Sequence, residues 1–157
     1  MNPFTLIGDQ WLLITAGTPE HCNTMTASWG GVGVLWAEPS ATCYIRPQRY
    51  TKEFVDNSDY FTLCFFDESY RKALNLCGST SGRDVDKIKE CGFTVQAGAG
   101  HAPYFAEAEL VLVCKKRYVQ PMKPECFIDE TIDGKFYPQK DYHVMYIGQI
   151  VEAYQKG

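Results

Sequence analysis

The chain has no two cysteines in C-x-x-C spacing, although seven are scattered through its 157 residues. Cysteine, histidine and acidic residues do not gather at the intervals of a zinc site, so neither a structural metal nor a disulfide framework is expected. An odd number of thiols without a pairing pattern suits a reducing compartment, and the cytoplasm is the expected location. No basic leader with an apolar stretch behind it opens the sequence. No apolar run approaches the roughly 20 residues of a membrane-crossing helix. The glycine pattern of a Rossmann dinucleotide fold is missing, as is the strand, glycine loop and helix order of a P-loop. Positive charge is in short supply: 15 lysines and arginines face 19 acids, for a formal net charge of −4. A nucleic-acid partner calls for a basic patch or stripe and is not expected. Repeats and low-complexity tracts are absent.

Aromatic residues, by contrast, are plentiful at 14%, within an ordinary globular balance of 45% hydrophobic and 22% charged residues. With many β-branched positions they favour a β-rich fold. The length suits one domain, residues 1–157, with a core of its own.

Strands are expected over 11–16, 25–28, 32–36, 41–45, 60–66, 93–95, 107–119 and 142–154, with Glu38 and Pro39 stopping the third. The run 60–66 is apolar throughout, as in a strand buried on both faces. In the long strand, Ala108, Leu110, Leu112 and Cys114 face one way, and Glu109, Val111 and Val113 the other. Gly148 marks a bulge or a close backbone approach in the last strand. Thr51 is placed as the N-cap of a short helix over 52–56. Asp67, Glu68 and Ser69 open a helix over 70–76 that Gly78 closes, and Gly92 caps another over 84–91. Cys43, Cys64 and Cys114 belong to the core, while Cys22, Cys77, Cys91 and Cys126 lie near turns. About ten short strands in runs, with three short helices, favour an antiparallel β-barrel with helical decorations over a βαβ fold.

The chemistry gathers around the stretch Tyr44-Ile45-Arg46-Pro47-Gln48-Arg49-Tyr50-Thr51-Lys52. Here two guanidiniums and an ammonium surround a turn into a helix whose first N–H groups lack partners, a combination that suits a phosphate. A strand-to-helix turn with solvated charges is the plainer reading. Upstream, Asn23-Thr24-Met25-Thr26-Ala27-Ser28-Trp29-Gly30-Gly31 is dense in small residues and hydroxyls. Such a segment lets a flat ligand meet exposed backbone, or it is simply a glycine-rich bulge. Ser79, Ser81, Gly82 and Arg83 lie in a loop that can wrap an anion, or that merely connects two helices.

Four segments taken in order resemble the flavin reductase-like family, its flavoredoxin branch in particular. They are Asn23 through Gly30, Tyr44 through Thr51, Cys77 through Lys87, and His143-Val144-Met145-Tyr146-Ile147-Gly148. The resemblance spans most of the chain. It implies an FMN-binding split β-barrel, usually a homodimer with FMN near the subunit interface. It implies that Asn23, Met25, Thr26, Ala27 and Ser28 lie along the flavin ring and ribityl chain. Arg46, Arg49, Thr51 and Lys52 would then meet the phosphate. Ser79, Ser81 and Gly82 would close over the flavin, with Lys87 adding charge. His143 would stand where a nicotinamide approaches; a histidine hydrogen-bonded to backbone at a strand end is the alternative. The implied activity is hydride transfer from NAD(P)H to FMN. Two other readings stand beside it: an FMN electron carrier served by a redox protein partner, and a non-catalytic module for another phosphorylated ligand. The chain is short for the family, with little sequence beyond the last strand.

Overall fold

A computed structural model describes residues 2–157, and its first element is a helix that the sequence reading lacks. The Asn2 side chain accepts the Phe4 N–H and Pro3 takes the first helical position, which together start α1 (Pro3–Gly8). Nine strands follow in antiparallel pairs. The hairpin β1 (Leu12–Thr18) and β2 (His21–Ala27) is followed by a second, β3 (Gly30–Leu35) and β4 (Glu38–Ile45). The turn between β3 and β4 is Trp36-Ala37, with φ of 52° and 63°. Both residues are left-handed, the geometry that matches strand twist in a two-residue hairpin. Pro39 does not end a strand as expected. It pairs with Val34 inside β4, and pairing of β4 to β9 begins only at Ser40, so its missing N–H costs no ladder bond there.

Seven strands form one sheet in the order β2-β1-β5-β8-β9-β4-β3, where β5 is Tyr60–Phe65, β8 is Leu110–Pro121 and β9 is Val144–Gln155. Met25 of β2 and Ala41 and Ile45 of β4, from opposite ends of that order, share one buried cluster with Ile14, Phe61 and Tyr146. The sheet therefore curls around a core while its edge strands β2 and β3 stay unpaired with each other, which is a split barrel. Leu13, Cys64, Val111 and Val113 project from the other face. They pack with Leu74 and Cys77 of α3 (Arg71–Ser79) and with the stacked rings of Phe66, Phe93 and Phe105. This second cluster is why the runs through β5 and β8 are apolar without alternation. The two faces of β8 divide as expected, except that Ala108 lies before the strand and joins Val111 and Val113.

Gly148 is a close approach: a Cβ there would lie 2.8 Å from both Cys114 Cβ and Phe61 Cζ. The register shifts fall at Val113/Cys114 and Lys116/Tyr118 of β8, so the bulge beside Gly148 belongs to the partner strand. Cys43, Cys64 and Cys114 are core residues, and so is Cys77, which sits inside α3 rather than at a turn. α2 spans Thr51–Asp56, and the remaining boundaries shift by a few residues. Asp86 caps α4 (Lys87–Cys91), which Gly92 closes in left-handed geometry. β6 (Val95–Ala97) pairs with β7 (Pro103–Phe105) as a separate ribbon. One more helix, α5 (Thr131–Phe136), lies in a stretch expected only as loop.

Candidate functional site

The site grows from the C-terminal end of β2. Thr24 is fully buried and Met25 nearly so, and the strand then surfaces at Thr26, Ala27 and Ser28. Thr26 is small because α3 lies directly against it. A Cβ on Gly78 would stand 3.2 Å from the Thr26 Cβ, and the Thr26 hydroxyl donates to the Leu74 carbonyl. Across from this strand end lie Tyr44 and Arg46 from the end of β4, Arg49 from the turn, and His143 just before β9. Together they line a cavity of about 210 Å³. Met25, Ala27, Trp29 and Tyr44 give it apolar and flat walls, and Thr26, Ser28 and the two arginines give it donors.

Each cation is already tethered. Arg46 donates to the Phe136 carbonyl at 3.1 Å, pairs with the Asp141 carboxylate at 3.1 Å and lies over the Tyr137 ring. Arg49 donates to the Gly78 carbonyl at 2.9 Å and the Cys77 carbonyl at 3.2 Å. Lys87, 3% exposed, donates to the same Cys77 carbonyl and to that of Thr24, both at 2.9 Å. The C-terminal end of α3 thus draws in two cations, as the negative pole of a helix should. Burial lowers the pKa of both groups. Lys87 falls to about 8, with the neighbouring Arg49 charge adding to the burial. A guanidinium carries five N–H donors. The contacts named occupy part of each set and leave donors on both arginines for an anion.

His143 is 8% exposed, and its Nδ1 lies 2.7 Å from the Tyr137 hydroxyl. Burial first, then the Arg46 charge, depresses its pKa to about 4. The imidazole facing the cavity is therefore neutral at ordinary pH. Its partner is the Tyr137 side chain, not the backbone that the plainer sequence reading supplied.

Ten of the fourteen expected residues fall into two groups. Met25, Thr26, Ala27, Ser28, Arg46, Arg49 and His143 surround the cavity just described. Asn23, Gly82 and Lys87 line a neighbouring hollow of about 530 Å³. The Cys77 carbonyl, bonded by both Arg49 and Lys87, links the two. Thr51 is not an N-cap. Tyr50 holds that position without a side-chain bond, and the buried Thr51 hydroxyl accepts from Asn23 Nδ2 at 2.8 Å. Lys52 is ion-paired to Asp56 at 2.7 Å and lines neither hollow. Ser79 is exposed at the end of α3, and the Ser81 hydroxyl accepts the Arg83 N–H in the turn after it. A larger hollow of about 910 Å³, beside α1, holds none of these residues. Four acids, Asp9, Asp67, Glu68 and Glu109, outnumber the cations Arg71 and Lys156 around it, which disfavours an anionic ligand. Trp29 and Tyr44 lay inside the quoted segments without being singled out as site residues. Tyr137 and Asp141 come from the α5 region, where no local signal marks them.

Chemically the site offers flat walls, guanidinium donors, hydroxyls and one neutral imidazole. No cluster of three metal-ligating groups occurs among the described residues. The donor set suits a planar ligand with an anionic tail. At about 210 Å³ the cavity is smaller than the roughly 300–1,000 Å³ of ordinary ligand clefts, so such a ligand extends beyond it.

The family model of the flavin reductase like domain matches residues 6–157. No curated protein matches the chain. Among solved structures, flavoredoxin from Methanosarcina acetivorans superposes with a TM-score of 0.73 at 23% identity, covering 94% of this chain and 68% of that one. An FMN-binding protein from Thermus thermophilus, solved with bound 1-cyclohex-2-enone, gives 0.71 at 20% identity, covering 92% and 69%. An NADH:FAD oxidoreductase from Streptomyces globisporus, solved with NAD and FAD fragments, gives 0.70 at 16% identity, covering 94% and 74%. At these identities the structural likenesses speak for the fold.

Proposed function

The chain belongs to the flavin reductase-like family, and from that premise we propose that it binds FMN and reduces it with NADH or NADPH. The observation that carries this reading is the single cavity shared by Met25, Thr26, Ala27, Ser28, Arg46, Arg49 and His143. When bound, FMN supplies the hydride acceptor. The chain's own groups bind, orient and shield. Thr26, Ala27 and Ser28 would hold the ring against exposed backbone, whose N–H groups favour negative charge beside them. Arg46 and Arg49 offer guanidinium donors to the phosphate. Asn23, held by Thr51, fixes the shape of the adjoining hollow with Gly82 and Lys87, and Ser79 and Ser81 lie in the segment that leads into Gly82. Lys52 joins the phosphate contacts by giving up its pair with Asp56. His143, neutral and held by Tyr137, offers a hydrogen bond to an incoming nicotinamide.

We place the protein in the cytoplasm as a homodimer. The apolar edge strand β3 and the turn after it support the dimer: Val34 in the strand is 78% exposed and Trp36 in the turn 51%. A second copy also supplies walls that a cavity of this size lacks. No helix among the described residues is long and apolar enough to cross a membrane.

A second reading, an FMN carrier reduced by a protein partner, draws on the likeness of fold to flavoredoxin. Anaerobic mixing of the FMN-loaded protein with NADH and then NADPH separates the two. Bleaching of the oxidised flavin band by either nucleotide supports the reductase. A band that persists until dithionite is added rejects it in favour of the carrier.

A further inference from the structure

Two thiols from different helices meet beside the flavin cradle. Cys77 lies inside α3 and Cys91 is the last residue of α4, and their Sγ atoms are 3.8 Å apart. Besides this contact, the Cys91 thiol faces the Ala73 carbonyl at 3.8 Å. The segment between the two cysteines carries Ser79, Ser81, Gly82 and Lys87. We propose that Cys77 and Cys91 form a reversible dithiol–disulfide site, oxidised by hydrogen peroxide, that closes residues 77–91 into a covalent loop.

The geometry permits the bond. Sulfurs 3.8 Å apart need to close by about 2 Å to reach disulfide length. Cys91 stands at the free end of a five-residue helix, next to the left-handed Gly92, where the backbone can yield. Access is one-sided. Cys77 has no exposed surface, whereas Cys91 is only partly buried, so peroxide enters at Cys91.

The Cys91 thiolate attacks one peroxide oxygen, the O–O bond breaks, and the departing hydroxide leaves as water after taking a proton. This gives a sulfenic acid on Cys91. The Cys77 sulfur then attacks that sulfur, the S–O bond breaks, and the hydroxide departs as water with the Cys77 proton. Two thiols lose two electrons and one peroxide becomes two waters. Burial raises both thiol pKa values, Cys77 to about 12. Glu90 also opposes ionisation of Cys91, while Lys87 and Arg49 partly offset burial at Cys77. The site is therefore slow and answers sustained oxidant, unlike an exposed low-pKa sensor.

The test is peptide mapping of the whole reduced protein after graded hydrogen peroxide, with free thiols then blocked. The expected result is a linked Cys77–Cys91 peptide and the loss of two of the seven thiols, restored by dithiothreitol. The oxidised form should melt higher by roughly 5–10 °C, because the closed loop restricts the unfolded chain. Cys91→Ser should leave Cys77 free and abolish the shift. Cys77→Ala should instead leave Cys91 as sulfenic or sulfinic acid. Oxidation of the exposed Cys126 with no Cys77–Cys91 link would overturn the proposal, as would links scattered among unrelated cysteine pairs. The mapping needs no flavin, so its outcome is independent of the proposed function. An effect of the disulfide on FMN affinity, through the Cys77 carbonyl that Arg49 and Lys87 share, rests on that function and is read separately by titrating FMN into both forms.

Discussion

His143 shows what a single residue's setting adds to its type. Its pKa stands near 4 in the fold against an ordinary 6.5, so the unfolded chain takes up the proton first as pH falls. The stability it contributes is complete above pH 6.5 and is lost as pH falls towards 4, with about 2 kcal/mol gone between pH 7 and pH 5. Denaturant midpoints at those two pH values should show this drop in the wild type and a clearly smaller one in His143→Gln. Equal drops would mean that His143 is not held neutral. Gly82 makes a second case. An added Cβ would lie 2.0 Å from Asn23 Oδ1, so Gly82→Ala must displace the side chain that donates to Thr51. The expected cost is roughly 1–2 kcal/mol, measured by chemical denaturation, together with weaker FMN binding. The sequence identified Arg46 and Arg49 as the cations of this region. It did not show that Lys52 is paired, because the competing aspartate lies four residues along the same helix. It assigned His143 no side-chain partner, because Tyr137 reaches it from a loop that carries no periodic pattern.

At the scale of elements, the strands of the main sheet and three of the helices were legible, and α1 and α5 were not. Continuous apolar runs marked β5 and β8 because both faces of the sheet are covered. α1 depends on an asparagine cap and a proline over six residues, and α5 has no side-chain cap, so neither left a strong pattern. Two changes probe the sheet itself. Ala37→Gly relieves a left-handed alanine in the β3–β4 turn and should stabilise the protein by roughly 0.5–1 kcal/mol; unchanged or lowered stability would mean the turn is not strained. Gly148→Ala forces a methyl against Phe61 and Cys114 and should cost roughly 1–3 kcal/mol in denaturant unfolding, while the molecules that still fold bind FMN normally. A loss of binding in that folded fraction would place Gly148 in the site and not only in the core.

For the whole molecule, strands in runs favoured an antiparallel barrel over a βαβ fold, and the family resemblance supplied the split barrel. No property of the composition says that the two ends of the sheet share a core while staying unpaired. The exposed β3 edge joins the fold to the proposed dimer. Val34→Lys should shift the sedimentation equilibrium of the protein towards monomer, and it should weaken FMN binding if the second copy completes the cavity. An unchanged dimer would move the interface elsewhere. The central claim is that the cavity between the end of β2, Arg46, Arg49 and His143 holds FMN. Its most direct test is a titration of FMN fluorescence with the wild-type protein and with Arg46→Ala. The account predicts saturable quenching at one FMN per chain and affinity at least tenfold weaker in the variant, as follows from losing about 1.4 kcal/mol or more of a charge-assisted contact to phosphate. Absence of quenching by the folded wild-type protein would contradict it.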